Sequence, residues 1–146
     1  MSTVVSERPQ QLVVFSLGAE EYALPITQVQ EIIRYTEPRT VASKAHWIKG
    51  VISLRGKIVP VCDLAARLGV SSVLSPDAKI VIVETGGGTA GVIVDEVEEV
   101  LTVDGASLDA VPAAGTDVID AIAKIDDRLV VLLKPEGIFS GFTFAV

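Results

Sequence analysis

Few residues of this chain have side chains suited to catalysis or metal binding. His46 is the only histidine and Cys62 the only cysteine, so no zinc site is expected, because such a site needs several ligands of these types. Cys62 and His46 could in principle act as nucleophile and base. However, Cys62 lies in an apolar β-type run with no basic neighbour or helix start that would lower the pKa of its thiol. A single cysteine also forms no internal disulfide, which fits a reducing compartment.

Two pairs of adjacent acidic residues and one glycine run complete the candidates for chemistry. Glu98-Glu99 and Asp126-Asp127 could supply a general acid and base. Adjacent side chains usually point apart on regular structure, so we interpret both pairs as solvated charge. The run Gly86–Gly88 lacks the lysine of a phosphate-binding loop and does not lead into a helix, so it predicts a hairpin turn. The sequence therefore indicates a protein without enzymatic activity or cofactor.

The composition indicates an apolar and acidic domain. Of the 146 residues 49% are hydrophobic, and the net charge is -7. Nucleic acids and anionic membrane surfaces attract basic proteins, so the acidic balance argues against both as partners. No apolar run approaches the roughly 20 residues that span a bilayer, and the first residues lack a signal-peptide pattern. We expect a cytoplasmic domain with more apolar side chains than its core hides, and this excess predicts a binding surface.

An internal duplication organises these residues. Residues 12–18 and 23–33 match residues 80–86 and 91–101 at a shift of 68, and residues 57–64 match residues 128–135 at a shift of 71. The first shift places Glu31 on Glu99. We predict two copies of one unit, about residues 11–75 and 76–139, which can exchange strands where they meet. The alternative is that two β-rich segments resemble each other through composition alone.

Each copy has the pattern of a small antiparallel barrel. Short strands rich in Val and Ile alternate with turn residues. Thr27 and Gln30 form a T-x-x-Q pattern typical of a helix start, and Asp95 and Glu98 occupy the same positions in the second copy. We therefore predict a short helical or bent segment after the first hairpin of each copy and a short helix at its end. Two such barrels are expected to pack across a pseudo-twofold seam that leaves a cleft.

Apolar residues with helix-like spacing indicate where a partner would bind. They are Ile26, Val29, Ile32 and Ile33 in the first copy and Val94, Val97, Val100 and Leu101 in the second. Two stripes facing one seam would form a groove suited to a helical partner. The alternative, that the side chains fill their own barrels, is favoured for Ile33 and Leu101. For Val29 and Val97 both interpretations stand.

Arg55 interrupts the most apolar hairpin of the chain, Gly50–Leu64. Under the shift of 71 its position falls on Asp126. The charge at this turn therefore differs between the copies, as expected of a contact that only one barrel makes.

Four segments together resemble the CheW family of chemotaxis coupling proteins. They are Glu21–Ile33, His46–Gly69, Gly91–Leu101 and Ala123–Phe139. The most specific parts are KGV with LRG in Lys49–Gly56 and GVIVDEV at the start of the third segment. One departure is Ser53, where the family usually has Asn before Leu-Arg-Gly. The resemblance covers a single domain of about residues 11–139.

The resemblance implies an all-β fold of two Src-homology-3-like five-stranded barrels, and it implies no catalysis. It implies a cytoplasmic adaptor, recruited to membrane receptor arrays, with three kinds of partner. These are the helical hairpin tip of a chemoreceptor, the regulatory domain of a CheA-type histidine kinase and other copies of the adaptor in rings. Two alternatives remain: an adaptor of an array for pilus motility or development, and a barrel that binds a small ligand or peptide.

The resemblance also assigns residues by position. Val13, Ile26, Val29 and Val97 match the receptor groove, and Glu31, Gly50 and Arg55 match positions that matter for kinase coupling. We further predict that Glu31 and Arg55 form an ion pair that links the groove to the kinase-facing hairpin. The alternative is that they are two solvated charges.

Overall fold

The structure, a computed structural model, describes residues 9–43, 45–104, 108–110, 117–140 and 142. The elements in these ranges are β1 (Gln10–Leu17), β2 (Glu20–Pro25), a 3₁₀ helix (Ile26–Gln28), β3 (Val29–Arg34), β4 (Ile48–Leu54), β5 (Lys57–Asp63), α1 (Leu64–Leu68), β6 (Lys79–Thr85), β7 (Gly88–Val94), β8 (Glu96–Val103), β9 (Leu108–Ala110), β10 (Ile119–Ile125), β11 (Arg128–Leu133) and α2 (Pro135–Ile138).

The strands form two sheets that exchange their first hairpins. One sheet has the order β8-β1-β2-β11-β10-β9, and the other has the order β3-β6-β7-β5-β4. The hairpin β1–β2 of the first copy thus lies among the strands of the second copy, and β6–β7 takes the reciprocal place. β2 pairs with β11, and β5 with β7, in parallel. We call the sheet with β3, β4 and β5 the first barrel and the sheet with β8, β10 and β11 the second barrel.

The predicted all-β fold of two barrels is confirmed. β4 and β10 are both seven residues long and lie at the shift of 71. The turn that follows each strand holds a residue with positive φ, 51° at Arg55 and 55° at Asp126. The second barrel adds the three-residue strand β9 to its other five strands. These matching elements favour duplication over a resemblance of composition.

The short helical or bent segment predicted after the first hairpin of each copy is a 3₁₀ turn in the first copy and a bend at Asp95 in the second. The residues that follow are strands β3 and β8 and not helices. The register of β3 against β6 shifts between Val29 and Glu31, which makes Gln30 an extra residue. A β-bulge of this kind puts residues three apart on the same face of a strand. Val29 and Ile32 therefore share a face, and their helix-like spacing is a property of a bulged strand.

Three apolar clusters among the described residues stabilise the fold. Each barrel has its own core, with Leu12, Val14, Ala23 and Leu132 among the members in the second barrel, and Val59, Val61, Ile80 and Ile82 in the first. The largest cluster, which we call the shared core, includes Phe15, Leu17, Tyr22 and Leu24 from β1–β2 and Val81, Val83, Val92 and Val94 from β6–β7. Because the exchanged hairpins supply the shared core, the two barrels form one unit.

The short helices at the ends of the two copies hold the copies together. The Asp63 carboxylate accepts a hydrogen bond from the Ala66 N–H at 3.2 Å and caps α1, and Gly69 ends it with a φ of 74°. Arg67 then donates to the carbonyl oxygens of Ile138 and Gly137, in α2, at 2.8 and 3.0 Å. One arginine of the first copy thus satisfies carbonyl groups of the second.

Candidate functional site

Two apolar strips of matching design run along β3 and β8. Val29 and Ile32 form the strip on β3, as the bulge requires. In β8 the register against β1 makes Glu98 the extra residue, so Val97 and Val100 share a face in the same way. Val29 and Val97 both pack against the shared core. The duplication therefore places two equivalent strips beside the same apolar cluster.

The strips leave apolar surface at the edge of the shared core. Ile32 is 39% exposed and Val100 is 52% exposed, while Val29 and Val97 are half-buried. Ile26 is also half-buried, in the 3₁₀ helix that contacts both β1 and β6. We call these five residues the seam groove. It includes three of the four residues predicted for partner binding.

Val13, the fourth residue predicted for the groove, lies beside the groove residue Val100 and is buried. Val13 pairs with Leu24 of β2 and with Val100 of β8. Its side chain therefore projects from the same face of the sheet as that of Val100. Val13 is only 2% exposed, so it adds little accessible surface there.

The structure brings Glu31 and Arg55 together as a bidentate ion pair. Arg55 Nη2 donates to Glu31 Oε1 at 2.8 Å, and Arg55 Nη1 donates to Glu31 Oε2. The hydrogen bonds from Arg55, more than its charge, lower the pKa of the Glu31 carboxyl below its usual value, and the same contact raises the pKa of Arg55. β3 and β4 are the two edges of their sheet, so the pair closes the end of the first barrel.

Gly50 has a structural reason to be glycine. It is buried in β4, and a Cβ at this position would overlap the carbonyl group of Arg39. Arg39 and Val51 exchange two backbone hydrogen bonds at 2.8 and 2.9 Å. The segment before β4 therefore lies flat against the strand only because position 50 has no side chain.

An apolar surface beside the Arg55 turn was not predicted. Ile58, three residues after Arg55, is 69% exposed, and Val41 is 38% exposed. Both line an open cleft of about 700 Å³ together with Val51 and Pro60. We call these four residues the hairpin face. The signal was available, because Ile58 alternates with the buried Val59 in β5 and must face outward.

The second barrel has an ion-pair cluster of its own. Arg128 donates to the carboxylate of Glu21 at 3.0 and 3.1 Å, and its Nη2 lies 2.8 Å from Glu99 Oε2. Glu99 is the copy of Glu31, so each barrel holds this glutamate with an arginine. The interpretation of Glu99 as solvated charge is corrected, because Glu99 forms an ion pair with Arg128. This arginine lies at the start of β11, whereas the arginine that pairs with Glu31 lies in the turn after β4.

The described residues contain no group of three or more His, Cys, Asp or Glu side chains that could hold a metal ion. Cys62 is fully buried in β5, and burial, followed by the charge of Asp63, raises the pKa of its thiol far above its usual value. A thiol in this state is inert as a nucleophile. In the same part of the chain, no helix is long and apolar enough to cross a membrane.

Comparison with known families assigns the fold. The family model described as the CheW-like domain matches residues 11–142. The chain belongs to the CheW-like family. This result confirms the resemblance seen in the sequence.

Two individual CheW proteins align with almost all of the chain, and a third relative aligns with part of it. It is 31% identical over 142 residues to the chemotaxis protein CheW of Klebsiella aerogenes, covering 94% of this chain and 86% of that protein. The crystal structure of the scaffolding protein TtCheW from Thermoanaerobacter tengcongensis matches with a TM-score of 0.86 and 36% identity, covering 95% of this chain and 98% of that one. Protein PilI of Pseudomonas aeruginosa is 36% identical over 87 residues, which are 57% of this chain and 47% of that protein.

Proposed function

We propose that this CheW-like chain is a non-enzymatic adaptor that couples the signalling tips of chemoreceptors to a CheA-type histidine kinase. Its similarity to proteins named as chemotaxis and scaffolding proteins supports this proposal. The observation that carries it is the double use of β3. One face of this strand presents Val29 and Ile32 to the seam groove, while Glu31 projects from the opposite face and pairs with Arg55.

The receptor side of the adaptor is the seam groove. An amphipathic helix of the receptor tip would cover Ile26, Val29 and Val97 together with the more exposed Ile32 and Val100. Removing such apolar area from water stabilises a complex by roughly 25 cal/mol per Å², less the cost of ordering the partner. Two apolar strips that flank one apolar cluster offer side-chain surface against which an amphipathic helix can lay its apolar face.

The kinase side of the adaptor is the Arg55 turn with the adjoining hairpin face. Glu31 fixes the guanidinium of Arg55, which is largely exposed, and Gly50 lets the segment before β4 shape the neighbouring cleft. Ile58 and Val41 supply apolar area there that the chain itself leaves uncovered. A charged residue held in one orientation beside an apolar patch is a suitable anchor for a partner domain.

Coupling follows from the short physical path between the two sides. A receptor helix that moves Val29 also moves the bulge at Gln30 and hence Glu31, because the three residues are consecutive in β3. A displaced Glu31 changes the orientation of Arg55 and thus the kinase contact. Such a link is allosteric only if binding at one surface changes affinity at the other, which makes it measurable.

The decisive experiment is co-sedimentation of the purified protein with a receptor signalling fragment and a CheA-type kinase, combined with kinase autophosphorylation. We expect a ternary complex and a change in the rate of autophosphorylation. Absence of both with cognate partners would overturn the proposal. The work of the adaptor would take place in the cytoplasm, in rings of kinase and adaptor beneath the receptors.

A second candidate is an adaptor of an array that controls pilus motility, supported by the similarity to PilI over part of the chain. The two functions use the same surfaces and differ in the receptors and kinases that are recognised. Binding assays with receptor tips and kinases of both systems from the same cell would separate them. The cognate pair is expected to bind at least tenfold more tightly, a difference of about 1.4 kcal/mol.

A further inference from the structure

Arg34 and Lys79 form a cationic pair at the end of β3. They lie directly opposite each other in the register of β3 and β6. Like charges in this position destabilise a sheet. Among the described residues neither side chain has an ion-pair partner: Lys79 Nζ donates to the backbone oxygen of Asp77 at 3.1 Å, and the Arg34 side chain makes no hydrogen bond. No ion pair within the described residues therefore offsets the repulsion between the two cations.

The cationic pair continues the apolar strip of the seam groove. Arg34 follows Ile32 by two residues and shares its face, and their partners Lys79 and Val81 share the same face of β6. Val81 belongs to the shared core, which lies under the groove. The strip thus runs from Val29 through Ile32 to two cations beside a polar hollow of about 460 Å³.

The equivalent positions of the second barrel are uncharged. The shift of 68 places Arg34 on Thr102 and Lys79 on Gln11, and these two residues also lie opposite each other, in β8 and β1. Both are neutral and exposed. The two strips of the groove therefore match in their apolar residues and differ in the charge at their ends, in a chain with a net charge of -7.

We propose that Arg34 and Lys79 bind a carboxylate of the receptor helix and thereby fix the direction in which the helix lies in the seam groove. This inference rests on the function proposed above. Apolar strips related by a pseudo-twofold axis accept a helix in either direction, so they cannot orient it. A guanidinium and an ammonium group together hold one carboxylate with charge-assisted hydrogen bonds, and only one direction brings an acidic residue to them. The polar hollow leaves room for that side chain.

The first test measures binding of a receptor signalling-tip fragment by titration calorimetry at low and high salt. Arg34→Gln and Lys79→Gln are each expected to weaken binding about tenfold at low salt, and the loss shrinks as salt screens the contact. Arg34→Lys is expected to keep most of the affinity. Thr102→Glu is the matched control, because it changes the net charge by the same amount as Arg34→Gln at the equivalent position. We expect it to bind within about twofold of the parent protein.

Thermal stability distinguishes a role of Arg34 in binding the receptor helix from a role in stabilising the fold. If Arg34 served the fold, Arg34→Gln would lower the midpoint of thermal unfolding. We expect the midpoint to stay the same or rise, because the substitution relieves two opposed like charges. A second test restores binding to Arg34→Glu by exchanging acidic residues of the receptor helix for Lys one at a time. We expect the exchange to Lys to restore binding at a single position, toward one end of the receptor helix.

The outcomes distinguish failure of this inference from failure of the proposed function. If Arg34→Gln and Lys79→Gln bind normally while Ile32→Ser loses affinity, the groove stands and the orienting role is overturned. Equal weakening by Thr102→Glu would also overturn it, since the effect would then be one of general charge. If the parent protein does not bind the fragment, the proposed function fails and this inference with it. A change in self-association alone would assign the pair to contacts between copies and overturn the proposal.

Discussion

Arg55 and Glu31 join the turn after one edge strand of the first barrel to the opposite edge strand. The pair closes the barrel end without a backbone hydrogen bond between β3 and β4. In the second barrel Arg128 of β11 reaches Glu99 of β8 instead. Duplication thus kept the glutamate and changed the source of the arginine. The exposed Arg55 turn is distinctive of the first barrel, even though the ion pair is not.

The titration of Glu31 reports directly on this pair. Hydrogen bonds from Arg55 hold the pKa of Glu31 below its usual value of 4.5. The stabilising contribution is therefore present above pH 4.5 and is lost as the pH falls through the lowered pKa. Arg55→Gln is expected to move the titration of Glu31 up toward 4.5, measured by carboxyl NMR. Lys49→Gln removes a cation from β4 outside the pair and is expected to leave the pKa of Glu31 unchanged. An equal rise in this pKa would show that the net charge of the protein, and not the contact with Arg55, sets it.

Exchange of the two charges tests whether the pair matters to the kinase as a unit. Glu31→Arg and Arg55→Glu each place like charges together and are expected to lose kinase activation. The double variant restores opposite charges and is expected to recover a large part of it, measured by autophosphorylation with receptor and kinase. Normal folding of each variant is checked by circular dichroism. If the double variant did not recover kinase activation, the kinase would depend on Arg55 itself and not on its ion pair with Glu31.

Arg128 is expected to stabilise the second barrel. Arg128→Gln leaves the carboxylates of Glu21 and Glu99 without the cation between them, so we expect the thermal midpoint to fall by a few degrees at low salt and by less at high salt. Lys57→Gln is the matched control, since Lys57 is the copy of Arg128 and makes no ion pair within the described residues. Equal midpoints for the two variants would refute the role of Arg128.

The strands, hairpins and duplication could be predicted because they depend on local pattern. The exchange of β1–β2 and β6–β7 could be named only as an option, because strand pairing across a seam depends on packing of the whole chain. The bulge at Gln30 gives Val29 and Ile32 the three-residue spacing that is typical of a helix, because the extra residue lengthens the two-residue repeat of the strand by one. The resemblance names Val13 by position, and only the folded sheet shows that its side chain is nearly fully buried. The exposure of Ile58 could have been predicted from its alternation with Val59 in β5, whereas the register that sets Arg34 opposite Lys79 exists only in the folded sheet.

Gly50 is expected to act through the fold. Gly50→Ala would force Arg39 and the segment before β4 away from the strand, and we expect a loss of about 1–3 kcal/mol in the free energy of unfolding. Urea denaturation measures this loss. Gly86→Ala is the control, because no atom lies within 4 Å of a Cβ there. Kinase coupling lost by Gly50→Ala with full stability would assign Gly50 a direct contact instead.

The two surfaces of the adaptor are expected to fail independently. Ile32→Ser with Val100→Ser removes exposed apolar area from the seam groove, and we expect receptor binding to weaken at least tenfold while kinase binding is kept, because truncation of central apolar contacts costs about 1–2 kcal/mol or more. Ile58→Ser is expected to do the reverse. All three residues are well exposed, so stability should change little. Binding of receptor fragment and kinase regulatory domain, each measured alone, gives the result. If one substitution weakened both partners equally, the two contacts would share one surface, and the path through β3 could not be the route of coupling.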